Sequence, residues 1–365
     1  MLAGSALGAC GVGRATEDSE VRDDPSGAAF GDELVEARQE LFLGVTWDRI
    51  DERLRQRAET DGLTTAALVV GTDPATSDST ATYGMGEVGP ATTVSLGETS
   101  FWFTASTLLT LVDDGTLVLD QAIGDRLPDL GAAVGAITLR QLLSHTSGLP
   151  RDLACPEATV AACDAALATT PLTDPPGEAF AVTDADAHVA ARLAEAVTGR
   201  TWPELFAERI AAPTGLEATA YAAPDTTGGL LAVDGATTVG DLGRFLSMIR
   251  DGGRADDGVV LSETSLEQML LDQTARLDTH TEPWVAATGV PTYGFGVWRD
   301  RLRGDDAASV VSAPNRWGLY PFVDDARGAW GIVVVEDRAH PLADVVAASS
   351  VLAQLTSAAL RRPPD

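Results

Sequence analysis

Lysine is missing from this sequence: all 25 of its basic residues are arginine. No lysine general base, Schiff base or phosphate clamp can therefore come from the chain. Positive charge is scarce as a whole, and the 365 residues carry a formal charge of −29, with a pI near 4.3. A chain of that sign repels nucleic acid and anionic lipid headgroups, which sets nucleic-acid binding aside. Long apolar runs are missing too, so no stretch is expected to span a membrane. His188, His280 and His340 are scattered without metal-ligand spacing, so neither a metal nor a cofactor is expected. There is no internal repeat and no extended low-complexity segment.

Apolar residues make up 45% of the chain and charged ones 22%, enough to bury a sizeable core in one large domain or two ordinary ones. Cysteine is rare. Cys155 and Cys163 bracket "CPEATVAAC", and two cysteines this close in an exported protein are expected to close a small disulfide loop, with free thiols as the other reading. The third, Cys10, ends "MLAGSALGAC", which resembles a bacterial lipobox. The resemblance implies lipidation at Cys10 and a place on the extracytoplasmic face of the membrane, held by the lipid anchor only. The segment departs from the pattern in its shortness and in having no arginine or lysine before the apolar run.

Residues 1–10 thus read as a signal-like segment, and residues 11–40 as an acidic tether too poor in large apolar side chains to fold alone. A domain is expected over 41–365. "WDRIDERLRQRAE" predicts an amphipathic helix, and "TTAALVVGT" and "STATYGMG" predict two strands. An apolar helix over 104–114 is expected to stop at Gly115. The pattern from about 120 to 275 is mostly helical. In that stretch Thr201 and Glu204 form a capping box, and Thr238 opens a helix with Leu242, Phe245, Leu246 and Ile249 on one side. "YGFGVW", "ASVVS" and "AWGIVVVED" then predict strands, and 342–360 a final Ala-rich helix. Strands near both ends with helices between predict an α+β fold: an antiparallel sheet from the N- and C-terminal parts, flanked by helices, with a mostly helical lobe inserted.

One stretch is highly specific: "ITLRQLLSHTSGLPRD", residues 137–152. With "LVDDGTLVLDQAIGDRLPDL" before it and "PGEAF" and "VTGRTWPELFAERIAAPTGLEATAY" after it, the chain resembles the serine β-lactamase-related hydrolases. That family groups class C β-lactamases, DD-peptidases and carboxylesterases of one fold, the β-lactamase/transpeptidase-like fold. "YGFGVW" and "WGLYPFVD" extend the resemblance over roughly residues 45–358.

The resemblance implies three catalytic motifs, and each is altered. A Ser-x-x-Lys at a helix start puts nucleophile and base on one face, one turn apart. Anchored on Gly97, Phe103, Thr104 and Gly115, the serine position is Glu98 and the lysine position Phe101. A slipped register would make Ser100 the nucleophile, with Phe103 where the base belongs. The Tyr-x-Asn motif after "PGEAF" reads Val182, Thr183, Asp184, and the Lys-Thr-Gly strand edge reads Ala313, Pro314, Asn315. Nucleophile, base and proton shuttle are replaced together, while caps, turns and apolar periodicities remain.

The replaced residues have plain structural readings. Glu98 suits the positive end of the helix dipole. Phe101 fills the space of a lysine side chain, and Trp102 packs under the lobe. Asp184, or Thr183 with Asp186, caps the following helix. His145 holds a turn by hydrogen bonds, and Arg316 pairs with Glu98 or Asp184 or lies at the surface. Glu98, Ser100, Asp184, Asn315 and Arg316 are the candidates to line a ligand cleft. The expected function is a surface protein that binds a cell-wall peptide, a small molecule or a protein partner without covalent chemistry. The alternatives are a hydrolase using the Glu98 and Asp184 carboxylates, or one using Ser100.

Overall fold

The computed structural model describes residues 45–71, 80–274, 277–279, 292–300, 310–335 and 342–359. Cys10, the segment 11–40, His280 and His340 lie outside the described residues. Near the N-terminus run β1 (Ala66–Gly71) and β2 (Thr80–Met85). β3 (Thr93–Ser95), β4 (Ala220–Tyr221) and β5 (Gly235–Thr238) form a small sheet in the order β3-β5-β4. The C-terminal strands are β6 (Thr292–Tyr293), β7 (Trp298–Asp300), β8 (Val310–Ser312), β9 (Tyr320–Asp324) and β10 (Ala329–Val335). The main sheet is antiparallel throughout, ordered β6-β7-β8-β9-β10-β1-β2, so the two ends of the chain meet where β1 pairs with β10. The α+β arrangement read from the sequence is the one observed.

Alternate residues of these strands feed two cores, as a period of two requires. Leu68, Val70, Tyr320, Phe322, Val333 and Val335 face one side. There they meet α1 (Trp47–Asp61), through Ile50, Leu54 and Ala58 at helical spacing, and the C-terminal helix through Val351, Leu352 and Leu355. α1 begins at the Thr46 cap and ends at Gly62, whose φ of 64° is the left-handed stop. Val69, Val311, Val323, Ile332 and Val334 face the helical lobe. Its centre is α2 (Ser100–Asp113), in which every residue from Ser100 to Leu111 is buried. Trp102 and Phe103 of α2 pack on Phe245, with ring centroids 5.7 and 4.0 Å away. α3 (Asp184–Thr198) packs beside α2, and α4 (Val239–Arg250) joins the lobe to β9 and β10. α5 (Leu342–Ala359) is the final helix. Cys155 and Cys163 are joined in a disulfide, Cα atoms 4.8 Å apart.

One local reading differs from the sequence expectations, and two others are narrowed. "YGFGVW" is not one strand but the end of β6, a turn and the start of β7: Gly294 N–H donates to Val297 O at 2.9 Å and Gly296 takes φ 71°. A Cβ on Gly296 would come within 2.5 Å of the Phe101 carbonyl oxygen, so glycine lets this turn seat against α2. The α3 cap is Thr183, whose hydroxyl accepts the Ala185 N–H. Asp184 is the first helical residue, and Asp186 turns inward to His145 instead of capping. "YPFVD", read only as part of a motif, is strand β9.

Across β7, β8 and β9, Asp300 accepts hydrogen bonds from Ser312 (3.1 Å) and Tyr320 (3.0 Å) inside the α1/α5 core. Burial outweighs those two bonds and pushes its carboxyl up to about 7, from 3.8. The neutral acid is therefore favoured in the folded state. Its contribution to stability is complete below about pH 4 and declines as the unfolded chain ionises first, until the folded group ionises near pH 7. Asp300→Asn should flatten that decline, which is on the order of 3–4 kcal/mol across pH 4–7. Urea denaturation of both proteins at pH 4.5, 6 and 8 measures it, and parallel pH profiles would show that Asp300 is not the cause.

Candidate functional site

Three segments meet at the motif positions: the turn Gly97–Thr99 before α2, the start of α3, and the β8–β9 turn. Gly97, at φ 48°, sits so close under the β8–β9 turn that a Cβ there would lie 2.9 Å from Trp317 and 3.1 Å from Asn315 Cβ. Glycine is what permits the approach. Asp234, at φ 54°, anchors the other side: its Oδ1 accepts from Gly97 N–H (3.0 Å) and Gly235 N–H (2.7 Å). Its own N–H donates to Ser100 Oγ at 3.0 Å.

Glu98, at the serine position, is held by Arg316. Arg316 Nε donates to Glu98 Oε1 at 2.6 Å, Nη2 reaches the same oxygen, and the Arg316 backbone N–H donates to Oε2 at 3.0 Å. Of the partners left open by the sequence, the guanidinium's hydrogen bonds go to Glu98. Burial works against the Arg316 charge, but Glu98, with help from Asp184 and Asp234, outweighs it and raises the pKa further. Thr99 then donates its hydroxyl to Ala313 O at 2.6 Å, tying the end of β8 to the helix start.

Asn315 stands where the motif has a glycine, and it is buried, 2% exposed. Its Nδ2 donates to Ser95 O (2.8 Å) and Leu96 O (3.1 Å), while its Oδ1 accepts from Trp317 N–H (2.9 Å) and Leu319 N–H (3.1 Å). Two donations from one atom and two acceptances by the other match the full capacity of a primary amide. The residue expected to line a cleft instead clamps two loops together.

Phe101, at the lysine position, is buried and meets the His145 ring edge-on, centroids 4.6 Å apart. His145 takes φ 54° and its Nδ1 bonds Asp186 Oδ2 at 2.7 Å. Burial pushes the Asp186 carboxyl up, against the pull of His145. Val182 is partly buried against both cores. Asp184 is partly buried; burial first, then Glu98, raises its pKa, opposed by Arg316 and His145. Ser100 is wholly buried, its hydroxyl tied to Asp234 and its carbonyl to Thr104 and Tyr221. It therefore does not face a cleft, because its side chain points into the seam with β5.

The structure thus gathers Glu98, Asp184 and Arg316 into one electrostatic unit and adds Asp234, which the sequence reading missed. The signal was an Asp-Gly pair, common where the backbone turns with positive φ. Among the described residues, no group of three or more His, Cys, Asp or Glu side chains is placed to hold a metal ion. A groove of about 410 Å3 on the lobe, between Asp114, Arg209 and Val259, is lined by none of the motif residues.

The Beta-lactamase family model matches residues 99–356, more than half of the chain. The chain belongs to the beta-lactamase family. It is 28% identical over 237 residues to Penicillin-binding protein 4 of Amycolatopsis lactamdurans, a match covering 53% of this chain and 62% of that protein. A solved beta-lactamase candidate from Bacteroides dorei DSM 17855 is similar with TM-score 0.76 and 24% identity, covering 87% of this chain and all of the other, 100%. A penicillin-binding protein homologue from Caulobacter crescentus is similar with TM-score 0.65 and 19% identity, covering 87% and 99%. Identities at this level establish the beta-lactamase fold, with its antiparallel sheet and flanking helices.

Removing the Asn315 clamp should be costly. Asn315→Ala leaves the buried Leu319 N–H without its acceptor and removes the amide's bonds to the partly buried Trp317 N–H and Ser95 carbonyl, while the Leu96 carbonyl keeps the Thr99 N–H, so unfolding free energy should fall by about 1–3 kcal/mol. A urea midpoint equal to that of wild type would show that the loops do not need the amide.

Proposed function

We propose that this chain is a non-catalytic member of the beta-lactamase family that uses the fold to bind rather than to transfer acyl groups. The observation that carries the reading is the ion pair at the serine position, where Glu98 is engaged by Arg316. A serine hydroxyl is a weak nucleophile until a base takes its proton. Here the serine, the lysine and the tyrosine are Glu98, Phe101 and Val182, and no lysine exists elsewhere. A cell-wall peptide, a small molecule such as the penicillin for which the Amycolatopsis relative is named, or a protein partner is the ligand class, bound without a covalent step. Nucleic acid is not among them, given the charge of −29.

A fluorescent penicillin and a fluorophosphonate, each incubated with the purified protein, should leave no covalent label. Single reversions should restore nothing, because residues acting as one unit are non-additive. Phe101→Lys alone would put an ammonium where the side chain is buried against His145, at a cost in stability and with no nucleophile to serve. Glu98→Ser, Phe101→Lys and Val182→Tyr, with Asn315→Gly, are needed together. A second reading rests on Asp184: a carboxyl whose pKa is raised by burial, near a second carboxyl group bonded to arginine, is a pair that could divide acid and base roles. Turnover of a chromogenic ester that Glu98→Gln or Asp184→Asn abolishes would put that reading in place of the first. Loss with Ser100→Ala instead would mean that the buried serine becomes accessible.

In the same reading the chain is lipidated at Cys10 and faces outward from the membrane, with the lipid as its only hold. Cys10→Ala should move the protein from the membrane to the soluble fraction of cells expressing the full sequence. Unchanged fractionation would rule out the anchor.

A further inference from the structure

The groove of about 410 Å3 beside the C-terminal end of α2 carries three carboxylates, and the chain itself satisfies each of them. Asp113 accepts from the Ser262 N–H (2.8 Å), the Ser262 hydroxyl (2.5 Å) and the Ser265 hydroxyl (2.6 Å). Asp114 accepts from the Thr116 N–H at 2.9 Å and from Arg209 Nη1 at 2.7 Å. Glu208 pairs with Arg200. Arg209 is different, because its Nε is shut off from solvent and has no hydrogen-bond partner. Glu208 Oε1, at 3.9 Å, is too far away to accept from it. A shielded N–H left unpaired is costly, and native structures seldom keep one.

The sequence explains how this N–H reaches the groove. Residues 202–214 run as one helix interrupted by a π-helical turn, Ala207–Ala211, in which the Ala212 N–H donates to Ala207 O five residues back. Pro213 has no N–H for the Arg209 carbonyl, and in a regular α-helix its ring would crowd that carbonyl. The widened turn carries Glu208 and Arg209, and such turns are rare and recur at functional sites. Val259 lines the same groove from a short hairpin that pairs Arg254–Ala255 with Gly258–Val259. It is 58% exposed, the most of any large apolar side chain among the described residues. Val260 and Pro213 add to the apolar lining.

The groove therefore lacks an acceptor, and its charges decide which kind. An anion would come among three carboxylates with only Arg209 and Arg200 against them. A cation would find each carboxylate already bonded and would leave the Arg209 N–H unpaired. An uncharged carbonyl with an apolar group next to it meets both the N–H and the valines. A peptide unit beside a leucine-like side chain is that combination, and the groove lies within the roughly 300–1,000 Å3 of sites for molecules of such size.

We propose that this groove is a second binding site, for a short uncharged apolar peptide segment whose carbonyl accepts from Arg209 Nε–H and whose side chain packs on Val259. None of the motif residues lines it, so the inference does not depend on whether those positions are catalytic.

Acetyl-leucyl-leucine amide is the probe, titrated into the full chain labelled with nitrogen-15 while the arginine Nε–H signals are followed. The Arg209 signal, assigned through its own backbone, should shift and saturate. Val259→Asp, at an exposed hairpin position, and Arg209→Leu should each weaken binding about tenfold, the first by losing apolar contact and the second by losing the donor. A melting curve for each variant confirms folding, and Val259→Asp decides the matter if Arg209→Leu does not fold. The same dipeptide with a free C-terminal carboxylate should bind more weakly than the amide. An Arg209 signal that the probe leaves unmoved, a folded Val259→Asp that binds as wild type does, or tighter binding of the free carboxylate overturns the site.

Discussion

The pairing of β1 with β10 is the constraint on which the remaining architecture rests. Six residue pairs, from Ala66↔Val335 to Gly71↔Trp330, join segments from opposite ends of the chain. Whatever lies between must leave the sheet and return, and it does so as the helical lobe. The register also assigns the faces: Leu68 and Val333 point to α1 and α5, Val69 and Ile332 to the lobe. A slip of one residue would exchange the two cores, so the pairing is strongly specified. Gly71 belongs to that specification, because a Cβ there would lie 2.3 Å from the Trp330 ring.

The sheet sets the β8–β9 turn on the start of α2, where the altered motif positions meet. The polar seam is closed by internal bonds. Thr99 reaches Ala313, Asn315 spans Ser95, Leu96, Trp317 and Leu319, and Glu98 takes Arg316. The apolar seam is closed by Phe101 against His145. These substitutions support one another: a carboxylate at residue 98 is satisfied because arginine follows Asn315, and Asn315 is satisfied because two carbonyls precede Gly97. Agreement of this kind among local choices is how a sequence specifies a single structure.

Much of the scaffold was legible because its signals are local. The Thr201–Glu204 capping box, the Thr238 cap, the Ile50, Leu54 and Ala58 stripe and the apolar runs of β1 and β10 all appear where expected. Errors came where the local signal was ambiguous. "YGFGVW" has strand composition, yet it turns at two glycines that have no room for a side chain, Gly296 against the Phe101 carbonyl of α2 and Gly294 against the Met269 carbonyl. Asp186 sits at a capping position but finds His145, a stronger partner inside the core.

The sequence alone determined the family resemblance, the motif positions that the resemblance implies at Glu98, Phe101 and Val182, and the absence of lysine. Caps, helical stripes and strand alternation depend on residues a few positions apart, so the chain carries them wherever it folds. The tertiary structure decided what the replacements do: that Ser100 is buried, that Asn315 clamps rather than lines a cleft, and that Arg316 bonds Glu98 rather than Asp184. Asn315 and Ser95 are 220 residues apart, Arg316 and Glu98 218, and Ser100 and Asp234 134. No periodicity links positions so distant; only the packing of the lobe against the sheet brings them within hydrogen-bonding range.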